Sequence, residues 1–209
     1  MLPRQTVWLS LVMAVVVIVS SFGCGGRSSS STSKSTTNDP QGVVFIGSSS
    51  TVRWDLAVSF PGKNYVNFGE TGDQSSDMLA RFQGVIDRKP LVVHIWAGDN
   101  DDLSSTQVQS NIQAMVQKAK QAGIRPVLAT LTPKRGGQAI NNEFVVSFNV
   151  WLKQYGTDNG IPVADYYPLV VAADGTLNAD LASDEQHLNA AGYQLITPTA
   201  AAAIATASR

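Results

Sequence analysis

The sequence predicts an α/β fold, a five-stranded parallel sheet with helices on both faces. Three observations lead there. Short apolar runs recur at residues 43–46, 65–68, 91–96, 126–131 and 161–164. Stretches with apolar residues at helical spacing separate them. The strongest run, Leu-Val-Val-His-Ile-Trp at 91–96, is apolar throughout rather than alternating. That is the pattern of a strand buried on both faces, as strands joined through helices are.

The first run, Val-Val-Phe-Ile, ends at Gly47, and the weaker second, Tyr-Val-Asn-Phe, ends at Gly69. Ser75 or Ser76 can cap a helix with the apolar face Met78, Leu79, Phe82, Val85 and Ile86, stopped by Pro90. After the third strand, Val108, Ile112, Met115, Val116 and Ala119 fall on one helical face, and Gly123 suits its C-terminal end. Phe144, Phe148, Trp151, Leu152 and Tyr155 mark the next helix, with Gly156 and Gly160 expected beyond it. Asn189 is placed to cap a final Ala-rich helix that Pro198 kinks or divides.

Composition narrows the function. The chain has 209 residues, 44% apolar and 15% charged, as a globular domain with a real core does. Lys+Arg number 15 against Asp+Glu 16, so no basic excess marks a nucleic-acid partner. One Cys and two His supply neither a disulfide scaffold nor the ligands of a structural zinc site.

Residues 1–23 read as an export signal: Arg4, an apolar stretch from Val7 to Val19 broken only by Ser10, then Ser21-Phe22-Gly23. The stretch falls short of the ~20 residues that span a bilayer. Cys24 follows at once, with Gly25-Gly26 behind it, an arrangement that resembles the lipobox of bacterial lipoproteins. Lipidation of Cys24 would anchor the exported protein to a membrane. Ser21 stands where that pattern usually has an aliphatic residue, which leaves simple secretion as the other outcome. Residues 24–40 include a run from Ser28 to Thr37 that is all Ser or Thr except Lys34, a flexible spacer with nothing apolar to bury. Residues 41–209 form the working domain.

In parallel sheets function gathers in the loops after the carboxyl ends of strands. Here those loops read Gly47-Ser48-Ser49-Ser50-Thr51, Gly69-Glu70-Thr71-Gly72-Asp73 and Gly98-Asp99-Asn100-Asp101, and Asp184-Glu185-Gln186-His187 precedes the last helix. Each alone is ordinary turn chemistry. Together they supply acyl transfer. A Ser hydroxyl needs a neighbouring base. His94 sits inside an apolar strand and reads as a core residue, so His187 is the candidate base. Asp184 lies three residues before it, close enough to accept from its ring and fix the tautomer. The backbone N–H groups of Ser49 and Gly72 and the neutral amide of Asn100 are candidate oxyanion donors, each such donor being worth on the order of 10²–10³ in rate.

These blocks, with Phe45-Ile46 before the first and Trp54 after it, resemble the SGNH (GDSL-type) esterase and lipase superfamily across essentially the whole domain. The resemblance implies a three-layer α/β/α sandwich and catalysis by Ser49, Asp184 and His187. It also implies an oxyanion hole of Ser49, Gly72 and Asn100, and no metal or organic cofactor. The substrate would be an ester of a lipid, a small molecule or a glycan. One departure stands out: the family's first block is usually Gly-Asp-Ser, and Ser48 replaces that Asp. Ser48 and Ser50 thereby become rival nucleophiles, though the spacing from Gly47 to Trp54 favours Ser49.

Two other functions fit parts of the sequence. A flavodoxin-like module would hold a flavin phosphate in the 47–51 loop, but that leaves Gly72, Asn100, Asp184 and His187 unexplained. A non-catalytic surface lipoprotein of the same fold would not need the full set. Trp54, Trp96, Tyr166 and Tyr167 read as packing rather than as pocket walls. Asp99, Asp101 and Asp102 read as a solvated turn rather than a calcium site. The Lys134-Arg135-Gly136-Gly137 segment is expected to form a mobile loop near the site.

Overall fold

A computed structural model describes residues 42–209. The predicted signal, Cys24 and the spacer lie outside the described residues. Five parallel strands, β1 (Val43–Gly47), β2 (Val66–Gly69), β3 (Val92–Trp96), β4 (Arg125–Ala129) and β5 (Val163–Ala164), form one sheet in the order β2-β1-β3-β4-β5. Chain direction across the sheet reverses once, between β2 and β3. Because crossovers are right-handed, that reversal sends helices to opposite faces. The short helices α1 (Ser49–Val52) and α2 (Leu56–Ser59) lie on one face. The other carries α3 (Ser75–Ala80), α4 (Gln83–Asp87), α5 (Gln107–Gln121) and α6 (Asn142–Asp158). After β5 the chain makes α7 (Tyr167–Val170) and returns through α8 (Ala190–Ala207), which packs on β3, β4, β5 and α2. The result is the three-layer sandwich.

The register explains the core. Phe45 pairs with His94 across β1 and β3, so Phe45, His94 and Trp96 share one face of the sheet by the period-two rule. Trp54 stands edge-on to Phe45 and stacks on Tyr193 of α8, and Tyr166 closes against Trp96. Trp54, Trp96 and Tyr166 are buried, as packing residues should be. All five apolar positions read for α5 are buried too, and the chain leaves that helix through Gly123, with Ile124 N–H returning to Ala119 O.

Four expectations need correction. The single helix expected before Pro90 is two, α3 and α4, separated at Arg81-Phe82. Arg81 is pulled toward the sheet, donating to Asp73 Oδ2 (2.6 Å) and Phe68 O (2.8 Å), and the next turns tighten into i to i−3 bonds. Neither Ser75 nor Ser76 caps α3. Gln74 is the N-cap, its N–H bonded to Asp77 Oδ2, and Ser75 is the first, buried helical residue. Finally, α6 runs on through Gly156, and Pro198 lies inside α8 without dividing it, which removes one of the two outcomes expected of that proline. Asn189 does cap α8, accepting from Gly192 N–H at 3.0 Å.

Candidate active site

The first turn after β1 is tight. A Cβ on Gly47 would stand 2.8 Å from Trp96 O and closer still to Thr51 Oγ1, so only glycine lets the strand pass directly into α1. Ser48 is the N-cap of α1 and Ser49 its first helical residue. Ser49 is thereby held at the carboxyl end of β1, between β2 and β3, and is buried.

His187 reaches Ser49 from the loop before α8. Its Nε2 lies 2.8 Å from Ser49 Oγ, and its Nδ1 lies 2.8 Å from both carboxylate oxygens of Asp184. With Asp184 ionised, the proton belongs on Nδ1, which leaves Nε2 a lone pair toward the hydroxyl. Asp184 is shaped by its own loop. Burial works to raise its pKa, but the Gln186 N–H (3.0 Å), the His187 ring and the His187 N–H (2.8 Å) outweigh it and hold the carboxyl at about 2. Arg53, four residues after Ser49, adds an ion pair to Asp184 Oδ2 at 3.1 Å.

The two oxyanion candidates come from adjacent loops that are tied together. Asn100 Nδ2 donates one hydrogen to Asp73 O at 2.9 Å, next to Gly72, which fixes the amide and leaves its second hydrogen to give. Gly72 has φ +88, so glycine is needed there for backbone conformation; the space where a Cβ would sit is open.

Hydrogen bonds thus join Ser49, His187 and Asp184, while Gly72 and Asn100 stand in the loops after β2 and β3, the strands on either side of β1. His94 is elsewhere, fully buried with Nε2 2.8 Å from Tyr166 OH. The acidic turn differs from its reading. Asp101 is not solvated: it accepts from Ser75 N–H (2.9 Å) and Ser75 Oγ, serving α3 from another loop, and Asn111 Nδ2 completes the cluster on Ser75 Oγ. Asp102 binds Ser104 within its own turn. The 134–137 segment braces the rim, with Lys134 Nζ donating to Asp99 O (2.8 Å) and Arg135 N–H to Glu185 O (2.7 Å).

Asp99 and Arg53 were not singled out as site residues by the sequence reading. Asp99 Oδ2 accepts the hydroxyls of Ser50 (2.8 Å) and Ser48 (3.3 Å). That carboxylate also counts against a phosphate in the 47–51 loop, since it presents a negative charge where the flavodoxin-like alternative needs donors. The available signal for Asp99 was its place beside Asn100; for Arg53, its spacing of one helical turn from Ser49.

A cavity of about 170 Å³ lies against the 98–104 loop, walled by Leu103, Leu131, Phe144 and Val145 with Asp99, Asp101 and Lys134; neither Ser49 nor His187 lines it.

Comparison with solved structures agrees with this architecture. A protein described as a candidate acylhydrolase from Bacteroides fragilis superposes with TM-score 0.74 at 29% identity, covering 83% of this chain and 90% of that one. A GDSL-like lipase from Bacteroides thetaiotaomicron gives 0.72 at 28%, covering 80% and 89%. An acetylxylan esterase from Geobacillus stearothermophilus, 22% identical over 78% of this chain and 93% of that one, shares the fold with TM-score 0.63. Among curated sequences, N-acylneuraminate cytidylyltransferases of Streptococcus agalactiae are 24% identical over 156 residues; the match takes in 73% of this chain but spans only 36% of those proteins' length. The sequence pattern of the GDSL-like Lipase/Acylhydrolase family matches residues 30–195, and the chain belongs to that family.

Proposed function

We propose that the protein is a serine hydrolase that cleaves carboxylic esters through an acyl-enzyme on Ser49. The observation that carries this is the unbroken line from Ser49 Oγ to His187 Nε2, through the ring to Nδ1 and on to Asp184, with both hydrogen bonds 2.8 Å long. His187 takes the Ser49 proton as the oxygen attacks the ester carbonyl, and the negative charge gathers on the carbonyl oxygen. The N–H groups of Ser49 and Gly72 and the free hydrogen of the Asn100 amide receive that charge. His187 returns the proton to the departing alkoxide, which leaves as the alcohol. Water then repeats the sequence and releases the acid. Family membership supports the reaction class, and the acetylxylan esterase of like fold is consistent with a small acyl group.

Short acyl esters of a glycan or a small molecule are the substrate class that this likeness supports. The export signal and Cys24 support a protein held by a lipid anchor on the outer face of a bacterial membrane, its domain working in water.

Treatment with a fluorophosphonate followed by peptide mapping tests the assignment. The adduct is expected on Ser49, p-nitrophenyl acetate is expected to be turned over faster than its long-chain homologues, and Ser49→Ala should lose on the order of 10⁶ in kcat. An adduct on Ser48 or Ser50, or full activity without one, overturns it.

A further inference from the structure

We infer that Asp99 is a positioning residue for the nucleophile: its carboxylate collects the hydroxyls on both sides of Ser49 and leaves Ser49 the one hydroxyl of three turned toward His187. The inference rests on the serine-hydrolase reading above and deepens it. Ser48 Oγ and Ser50 Oγ donate to the same oxygen, Asp99 Oδ2, at 3.3 and 2.8 Å, while Ser49 Oγ meets His187 at 2.8 Å.

Local geometry alone would not produce this. A serine at an N-cap ordinarily turns its hydroxyl onto the N–H groups of its own helix. Ser48 makes no such bond. Its hydroxyl faces across to the loop after β3. A carboxylate oxygen can take two donors at once, and hydrogen bonds to an ionised acceptor are roughly twice as strong as neutral ones. The 2.8 Å bond from Ser50 is the firm one and the 3.3 Å contact from Ser48 a longer, weaker one; together they restrain the turn on both sides of Ser49.

Asp99 is itself anchored. Lys134 Nζ holds its carbonyl at 2.8 Å, and Asp101 N–H closes the turn onto Gly98 O at 3.2 Å. On the other side, Tyr193 OH holds Ser50 O at 2.7 Å, so the nucleophile turn is gripped from α8 as well. Asn100 is the next residue after Asp99, and one loop therefore sets both the attacking oxygen and an oxyanion donor in a fixed relation. Positioning of this kind is costly to lose, since a displacement of about 1 Å can cost on the order of 10² in rate.

A mutant cycle tests it, read by kcat and KM for p-nitrophenyl acetate and by the rate of fluorophosphonate labelling at Ser49. Asp99→Ala is expected to lower kcat and labelling by about 10–10² with KM within about twofold of wild type. Asp99→Asn, which keeps a carbonyl acceptor, should recover most of that loss. Ser48→Ala/Ser50→Ala should match the Asp99→Ala loss, and adding Asp99→Ala to it should cost less than about threefold more, because the partners are already gone. Wild-type kcat in either Asp99→Ala or the double-serine variant overturns the inference, as does an Asp99→Ala loss that is the same in both backgrounds. Should Asp99→Ala fail to fold, the double-serine variant decides alone: a loss of about 10–10² in kcat and labelling is expected, and wild-type kcat overturns the inference. Failure of the hydrolase reading looks different: wild-type Ser49 would not be labelled at all.

Discussion

His94 and His187 each place Nε2 2.8 Å from a hydroxyl, of Tyr166 and Ser49 respectively. Yet only one of these pairs is built to move a proton. The difference lies at the other ring nitrogen. His187 Nδ1 faces Asp184, whose carboxyl is held near pKa 2 by its own loop, so the ring has a fixed tautomer and a counter-charge for the imidazolium. His94 Nδ1 meets no acceptor beyond its own backbone, and burial among Phe45, Trp54 and Tyr166 drives its pKa down to about 3. A hydroxyl beside an imidazole is therefore not enough to make a nucleophile. The anion behind the imidazole and the open rim in front of it separate a candidate base from a packing residue.

The sharpest way to break that comparison is to remove the anion and keep the shape. Asp184→Asn leaves a side chain of the same size beside Nδ1 but can hold the ring in the wrong tautomer. We expect kcat for p-nitrophenyl acetate to fall on the order of 10⁴, with KM changed by less than about threefold. Steady-state kinetics on the two proteins measure it. A loss smaller than tenfold would mean that His187 is poised by something other than Asp184, and the distinction from His94 would have to be drawn elsewhere.

What the sequence disclosed and what it hid divide along the same line. Ser49, Gly72, Asn100, Asp184 and His187 were legible because each loop follows, or precedes, a strong local pattern: an apolar run ending in glycine, or a capped helix. The sheet then gathers them without further information. Asp99 on Ser48 and Ser50, Asp101 on Ser75 and Arg53 on Asp184 were not legible. Their partners stand 26 to 131 residues apart in the chain and meet only through the register of β1 against β3 and the packing of the last loop. The break between α3 and α4 is of this kind too. The apolar face of residues 78–86 is continuous in sequence, and what interrupts it is Arg81 bonding to Phe68 O in the edge strand β2 and to Asp73 in the loop after it. Periodicity reports which face is buried; it does not report which polar group on a distant element will claim a side chain.

The second prediction concerns stability and comes from the other histidine. Buried neutral His94 has a folded pKa of about 3 against an ordinary value of 6.5, so below pH 6.5 the unfolded chain binds a proton that the folded chain refuses. Stability is complete above pH 6.5 and is lost progressively as pH falls toward 3, by on the order of 3 kcal/mol between pH 6.5 and 4. Asp184, with its carboxyl depressed to about 2, adds its own loss only below about 4; Asp101, raised chiefly by burial, works in the opposite direction. Urea unfolding of wild type and His94→Phe across this range isolates the His94 share as the difference between the two curves. The variant should be less stable at neutral pH, because Tyr166 OH loses its partner at a cost of roughly 1–3 kcal/mol. Its stability should also fall less steeply below pH 6.5. Parallel curves would show that His94 is protonated inside the fold, and with that its contrast to His187 would go.

Arg53 offers the smallest effect and the finest test of how Asp184 is held. The guanidinium and the carboxylate are 3.1 Å apart, but their side chains are 47% and 41% exposed, so solvent screens the pair. Exposed ion pairs contribute roughly 0.2–1 kcal/mol, whereas the Gln186 and His187 N–H groups reach the carboxylate from its own turn at 3.0 and 2.8 Å. Arg53→Ala should therefore lower kcat/KM by no more than about fivefold. Wild type and variant should converge as salt approaches 1 M, where the screening length is about 3 Å. A loss of 10² or more that persists in salt would relocate the control of the acid from its own turn to α1. His187 would then owe its orientation to the same short helix that carries Ser49, and nucleophile, base and acid would be set by one element rather than by two loops meeting across the rim.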